Sequence, residues 1–428
     1  MTGSSILLAE GAVSEDAMAL SKKRRQTLTL KVGEAFSPAA PIDRWSLFAG
    51  RIEQVAQVVG AINRKGQHAI VFGERGVGKT SLANILSDVL HSEGVQALAC
   101  RVNCDGTDDY SSVWRKVMGE ARFASRVKEA GFVEAFRTEA HSLAELLPEK
   151  VTPHDVRKVL EAIGAHEAPI IIIDEFDKLK DGDASSLFAD TIKALSDYAV
   201  NAALILVGVA DTVDELIREH LSIERALVQV RMPRMSREEL HEIVDKGLSS
   251  VGMSIEPDAL RYISTLSQGL PHYTHLVGLY AARRAIGSGH LMVSAHHVEE
   301  AIADAIGQAQ QTIQSAFHKA TMSPRKENLY RQVLLASALA KADDFGYFAA
   351  ADVRQPMTRI MGRPFEIPAF SRHLNDLCEA RRGPVLQKIG AAHRFRFRFV
   401  NPLMQPFVIM TGLSCGMIDA ALVQELGR

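Results

Sequence analysis

The run Gly73-Glu74-Arg75-Gly76-Val77-Gly78-Lys79-Thr80 fills every position of the pattern G-x-x-x-x-G-K-[ST]. Glycines at this spacing let the backbone turn tightly and aim successive N–H groups at phosphate oxygens, and a helix starting there adds its dipole. Lys79 brings a cation to the outer phosphates, the Thr80 hydroxyl is a hard oxygen ligand suited to Mg2+, and Ser81 follows in the first helical turn. The chemistry expected of Gly73 to Ser81 is the gripping of a nucleotide triphosphate, ATP with Mg2+, or its product ADP.

A second pattern lies further along. Four isoleucines, Ile170 to Ile173, read as a buried strand that delivers Asp174 and Glu175 to the carboxyl edge of a sheet, where α/β proteins place ligands. Asp174 is expected to hold Mg2+ through water. Glu175, one residue beyond, is the candidate to orient and deprotonate an attacking water, with Asp177 as the competing carboxylate or a capping residue. The reaction implied is ATP and water to ADP and phosphate.

These residues need a frame. His68 to Phe72 reads as the strand entering the loop and Ser81 to Ser92 as the helix leaving it; further strands are expected at 95–103, 169–173, 202–209 and 226–232. Short apolar strands alternating with helices predict an α/β fold with a parallel sheet covered on both faces. Residues 111–165 read as a mainly helical, charged insertion, a possible protein-binding surface. After Pro233 helical patterns take over, at 236–251, 256–267, 271–286 and 294–319. From about Met322 three helix-like stretches (326–340, 349–361, 369–379) precede the alternating strand Arg394 to Phe399, an order that suits a winged helix. The expected organisation is a flexible arm over 1–40, an ATPase core over 41–233, an all-α lid over 234–321 and a C-terminal winged-helix domain over 322–428.

Bulk properties narrow the alternatives. At 428 residues, against roughly 150 per domain, two or three domains are expected. Hydrophobic residues at 47% and charged residues at 23% describe a globular chain. No apolar run approaches the ~20 residues that span a bilayer, and the N-terminus lacks a basic region before its short apolar patch, so a cytoplasmic protein without membrane contact is expected. Cys100 and Cys104 fit one face of a buried strand better than a metal or disulfide site. A formal net charge of −2 gives the whole chain no pull toward nucleic acid, so any DNA contact must be local.

Together these motifs resemble the AAA+ ATPases over about residues 45 to 425. The pattern is closest to the origin-recognition, initiator-like branch, which is related to STAND-type and transposition-regulator ATPases. Phe48-Ala49-Gly50-Arg51 is similar to that branch's F-x-G-R motif, which implies adenine-side contacts including Arg51. Leu204 to Asp211 resembles the sensor 1 strand. That likeness implies Asp211, or else Thr212, near the γ-phosphate, although the family more often has an uncharged residue there. Ser222-Ile223-Glu224-Arg225 falls where the family carries its arginine finger, which implies Arg225 reaching a neighbour's nucleotide within a homo-oligomer; a surface arginine paired with Glu219 or Glu224 is the alternative. Gly269-Leu270-Pro271-His272 sits where relatives carry the sensor 2 arginine, which implies phosphate contact from His272; ordinary helix capping is the alternative. The resemblance implies slow, assembly-stimulated ATP hydrolysis.

One local charge excess remains. Between Arg372 and Arg398 there are seven Arg or Lys against Asp376 and Glu379. With period 2, Phe395, Phe397 and Phe399 share one face and Arg394, Arg396 and Arg398 the other. Those arginines, with Arg372, His373 and Asn375 on the preceding helix, are the candidate contacts to double-stranded DNA. The alternatives are that the arginines solvate an exposed face or dock on the ATPase core, and that the domain binds protein in a signalling NTPase.

Overall fold

The computed structural model of the protein describes residues 20–38, 40–42, 44–92, 97–120, 122–128, 136–180, 182–217, 223–323, 328–391 and 394–426. The first part holds α1 (Lys22–Ala35), α2 (Ile52–Ile62), β1 (His68–Gly73), α3 (Lys79–Ser92), β2 (Ala97–Asn103) and α4 (Tyr110–Glu120). It continues with β3 (Arg122–Lys128), β4 (Phe136–Ser142), α5 (Pro153–Gly164), β5 (Ala168–Asp174), α6 (Gly182–Asp197), β6 (Ala203–Val209) and β7 (Leu227–Arg231). Five of these strands form one parallel sheet in the order β2-β5-β6-β1-β7. Its strands are nearly continuous apolar runs because both faces are covered: Val71, Ile172 and Ile205 enter one apolar cluster, while their neighbours Ile70, Ile171 and Leu204 enter the other. The α/β expectation holds, with strand bounds within about two residues of those expected.

Two expectations are corrected. The arm is helical from residue 22. Ser21 caps α1, and Leu28, Val32 and Ala35, spaced four and three apart, are buried. Phe36 ends it with its ring against the Cα atoms of Gly247 and Gly278, where any Cβ would collide with the ring. Phe36→Ala is expected to lower unfolding stability by about 3–5 kcal/mol in denaturant melts; a change below about 1 kcal/mol would mean the helix is not docked. The second correction lies in the insertion, where β3 and β4 form an antiparallel hairpin between α4 and α5 instead of helix.

The next segment is helical as expected: α7 (Arg237–Ser249), β8 (Ser254–Ile255), α8 (Pro257–Ser267), α9 (Pro271–Ser288), β9 (Met292–Val293), α10 (Ala295–Gln308) and α11 (Gln311–Thr321). The single helix expected over 294–319 is broken at Ala309 and Gln310, and β8 pairs with β9 over two residues. The C-terminal part contains α12 (Tyr330–Ala338), β10 (Phe348–Ala349), α13 (Ala350–Met361), α14 (Ile367–Asp376), β11 (Leu386–Ile389), β12 (Arg396–Phe399), α15 (Met404–Ser414) and α16 (Ala420–Leu426). Its strands form an antiparallel sheet in the order β10-β12-β11. One apolar cluster runs from a face of the central sheet through α7–α10 into α12–α16, so these parts share a core. No described helix is long and apolar enough to cross a membrane.

Candidate active site

Three glycines of the loop between β1 and α3 have left-handed backbone, Gly73 at φ 156°, Gly76 at 89° and Gly78 at 96°. At Gly73 a Cβ would overlap the carbonyl oxygen of Met232, so the sequence needs glycine there. Lys79 opens α3 almost fully buried, and its ammonium donates to the carbonyls of Gly73 at 2.9 Å and Glu74 at 2.8 Å. A cavity of about 700 Å³ lies over this loop; Arg75, Gly76, Gly78, Lys79, Thr80 and Ser81 line it. Val77 is buried behind the loop, and Glu74 turns away into an ion pair with Arg234.

Burial lowers the Lys79 pKa to about 8, against the pull of Asp177, Asp174 and Glu74. Bound phosphates would raise it again. Nucleotide binding at pH 8.5 is therefore expected to take up a fraction of a proton and at pH 6.5 none through this group. Calorimetry in buffers of different ionisation enthalpy reads this directly; equal uptake at both values would contradict the assignment.

Across the cavity β5 ends at Asp174, also buried. One carboxylate oxygen accepts the Glu175 N–H at 2.8 Å and the other accepts from Arg101 at 2.7 Å. Glu175 lines the cavity with a left-handed backbone, φ 57°, an uncommon state for a residue with a side chain. Its carboxylate pairs with Lys178 at 2.6 Å, and 41% of the side chain is exposed. Asp177 caps the neighbouring strand, accepting the Val209 N–H at 2.7 Å, while also lining the cavity. Thr80 and Asp174 offer a hydroxyl and a carboxylate, the oxygen donors that suit Mg2+, an ion that takes one or two protein ligands and completes its shell with phosphate and water. Among the described residues no three His, Cys, Asp or Glu converge as a self-contained metal centre.

Arg51 is placed differently from the simple adenine contact. At φ 61° and buried, its guanidinium donates to the carbonyls of Val77 at 3.1 Å and Pro233 at 2.6 Å, with Glu239 4.0 Å away. It braces the glycine-rich loop from behind and ties it to the start of α7, while also lining the cavity next to Phe48 and Ala49. His272 lines the cavity from the start of α9, and its Nδ1 donates to the Pro38 carbonyl at 2.8 Å; burial holds its pKa below the ordinary value. It serves a hydrogen bond there, and burial disfavours its charged form.

The sensor 1 expectation is corrected. Asp211 does not line the cavity; its carboxylate pairs with Arg398 of β12 at 2.5 Å, and Thr212 lies beside it outside the cavity as well. The strand meets the cavity through Gly208 and Val209 instead. Arg225 precedes β7, so it sits at the amino edge of the sheet, opposite the glycine-rich loop, and pairs with Asp197 at 2.8 Å with 80% of its side chain exposed. Glu219 and Ser222 lie outside the described residues.

Of the candidate DNA contacts, Arg372, Arg394 and Arg396 are exposed, and Arg372 lies 3.9 Å from Asp376. Arg396 pairs with Asp343 at 3.0 Å and donates to the Tyr347 carbonyl, and Arg398, besides Asp211, stacks over the Tyr347 ring at 4.6 Å. His373 packs edge-on against Tyr330, and the Asn375 side-chain oxygen accepts from Lys388 at 2.9 Å. Arg398, His373 and Asn375 are thus occupied in holding the fold, as the docking alternative expected for the strand. Phe397 and Phe399 are buried as anticipated, with Phe395 half-buried. Cys100 and Cys104 are buried free thiols, each pushed up to about 12 by burial, and so are poor nucleophiles.

Sequence reasoning missed Arg234, which bridges three parts of the chain. It pairs with Glu74 in the loop, donates to the Gln268 carbonyl at 3.2 Å and reaches the Gln405 side-chain oxygen of α15 at 2.7 Å. Nearby, the Tyr273 hydroxyl donates to the Leu403 carbonyl at 2.8 Å, and Leu403 itself lines the cavity. The signal available was a charged residue directly after Pro233, at the hinge between sheet and helices.

A parallel sheet in this order, a glycine-rich loop leading into a helix with a buried lysine, and an acid at the adjacent strand end define a P-loop NTPase of the AAA+ kind. The chain belongs to the family described as Novel STAND NTPase 1, whose model matches residues 41–377. No curated protein matches it. Among solved structures, a Walker-type ATPase of Pyrococcus abyssi is 15% identical, covering 86% of this chain and 98% of its own, with a TM-score of 0.50. The ORC2 protein of Aeropyrum pernix, in ADPNP and ADP complexes, is 14% identical over 92% of this chain and 97% of its own, at a TM-score of 0.48. Cdc6p from Pyrobaculum aerophilum is 15% identical over 92% and 99%, at 0.44.

Proposed function

We propose that the protein is an ATP-binding and ATP-hydrolysing switch that assembles in a nucleotide-dependent way and contacts double-stranded DNA through its C-terminal part. The observation that carries the switch is the make-up of one cavity: the loop and acidic pair come from the core, Pro271 and His272 from the helical segment, and Leu403 from the C-terminal part. In this reading residues 41–233 are the ATPase core, 234–321 the lid and 322–428 a winged helix. Lys79 and the loop amides grip the phosphates, Thr80 and Asp174 hold Mg2+, and Glu175 takes the proton of the attacking water. Mg2+ supplies charge neutralisation at the phosphates. Arg225, remote from its own site and exposed, fits a finger offered to a neighbouring copy, where such arginines are worth ~10³ to 10⁵ in rate. Filling or emptying the γ-phosphate position acts on the contacts of Arg234 and Leu403, and so on the seat of the C-terminal part.

A second reading is a signalling NTPase whose C-terminal domain binds protein. The family match favours it, as does the internal pairing of Arg372, Arg396 and Arg398 with Asp376, Asp343 and Asp211. An anisotropy titration of the full chain with ATP against duplex DNA at 50 and 200 mM salt separates them. Phosphate contacts require binding that weakens steeply with salt. No binding at the lower salt removes the DNA reading and leaves the protein-binding one.

A further inference from the structure

We propose that Arg101, paired with the Asp174 carboxylate, raises through its charge the Mg2+ concentration that the nucleotide site requires; this rests on the nucleotide reading above. Arg101 stands on β2, next to β5 in the sheet, on the strand face that also carries Asn103. Its guanidinium lies 2.7 Å from Asp174 and 3.4 Å from the Asn103 side-chain oxygen, and it also bonds the Asn84 side-chain oxygen on α3. Asn84 in turn donates to the Ile42 carbonyl at 3.3 Å, so the anchor on α3 is itself held. The Arg101 Nε is buried with no partner among the described residues. The pair is secluded: 3% of the Asp174 side chain and 23% of Arg101 are exposed.

Two effects of this guanidinium oppose each other. It orients the Asp174 carboxylate, which would favour metal binding, and it places a permanent positive charge 2.7 Å from the carboxylate that would hold Mg2+, which would disfavour it. Orientation does not depend on it alone, because the other Asp174 oxygen is fixed by the Glu175 N–H. Charge does depend on it, and in so enclosed a place solvent screens the repulsion poorly. The charge effect wins, and Arg101 raises the Mg2+ requirement.

The test is calorimetric titration of ADP into the full chain over a series of Mg2+ concentrations, comparing the parent with Arg101→Gln and Arg101→Lys. The Mg2+ midpoint for tight ADP binding should fall about tenfold in the Gln variant and stay within about twofold in the Lys variant, which keeps the charge. Structural damage alone would not produce tighter metal-dependent binding. Should the Gln variant unfold, Arg101→Met keeps the aliphatic stem without the charge and carries the same expectation. A midpoint that stays put or rises in the uncharged variants overturns the role of Arg101 while leaving nucleotide binding intact. A parent that binds no ADP at any Mg2+ concentration overturns both.

Discussion

Lys79→Ala is expected to lose nucleotide affinity by about 100-fold or more, from the loss of at least one charge-assisted hydrogen bond worth about 1.5–3 kcal/mol and the charge that accompanies it. The ammonium lies at the floor of the cavity on the carbonyls of Gly73 and Glu74, where incoming phosphates would replace or join those weak acceptors. The loss should not come from unfolding, and the sign of the pKa shift says why. Burial lowers this lysine from 10.5 to about 8, so below pH 8 the folded and unfolded states both carry the proton and the buried ammonium opposes folding. That opposition fades as the pH rises from about 8 toward 10.5. At neutral pH the nucleotide-free alanine variant should therefore melt no lower than the parent; a large fall in its melting temperature would assign the lysine a structural role instead.

Glu175→Gln is the second large effect: nucleotide binding retained, hydrolysis reduced by about 10² to 10⁴. The amide keeps the shape and the left-handed backbone but cannot take a proton. Glu175 is the more available acid, partly exposed and, among the described residues, paired with Lys178, whereas Asp177 is committed to the Val209 N–H. Single-turnover measurements with ATP and Mg2+ separate the steps. Normal turnover in the Gln variant would transfer the base role to Asp177, and Asp177→Asn would then be the inactive form.

The central strands, the glycine-rich loop and the acidic pair were legible because each is a local pattern whose neighbours in sequence are its neighbours in space. Ile170 to Ile173 are buried whichever face they point to, and that alone delivers Asp174 to the sheet edge. Elements that depend on distant partners were not legible. Helix α1 is mostly charged and polar, and its docking depends on partners far along the chain: Leu28, Val32 and Ala35 enter the shared core and Phe36 packs on Gly247 and Gly278. Helix α15 is apolar almost all round, so it has no periodicity to read, yet it brings Gln405 to Arg234. Asp211 shows the limit most clearly. Its role just after β6 was implied by the family resemblance, but its partner Arg398 belongs to a strand of the C-terminal part, and the acid pairs with that arginine.

The proposed switch requires that the glycine-rich loop and Lys79 hold the terminal phosphates of a nucleotide. Calorimetry of ATP and ADP against the full chain with Mg2+ present tests this most directly, and saturable binding of one nucleotide per chain is predicted for both. No heat and no saturation with either, together with no nucleotide released from denatured purified protein, would contradict it.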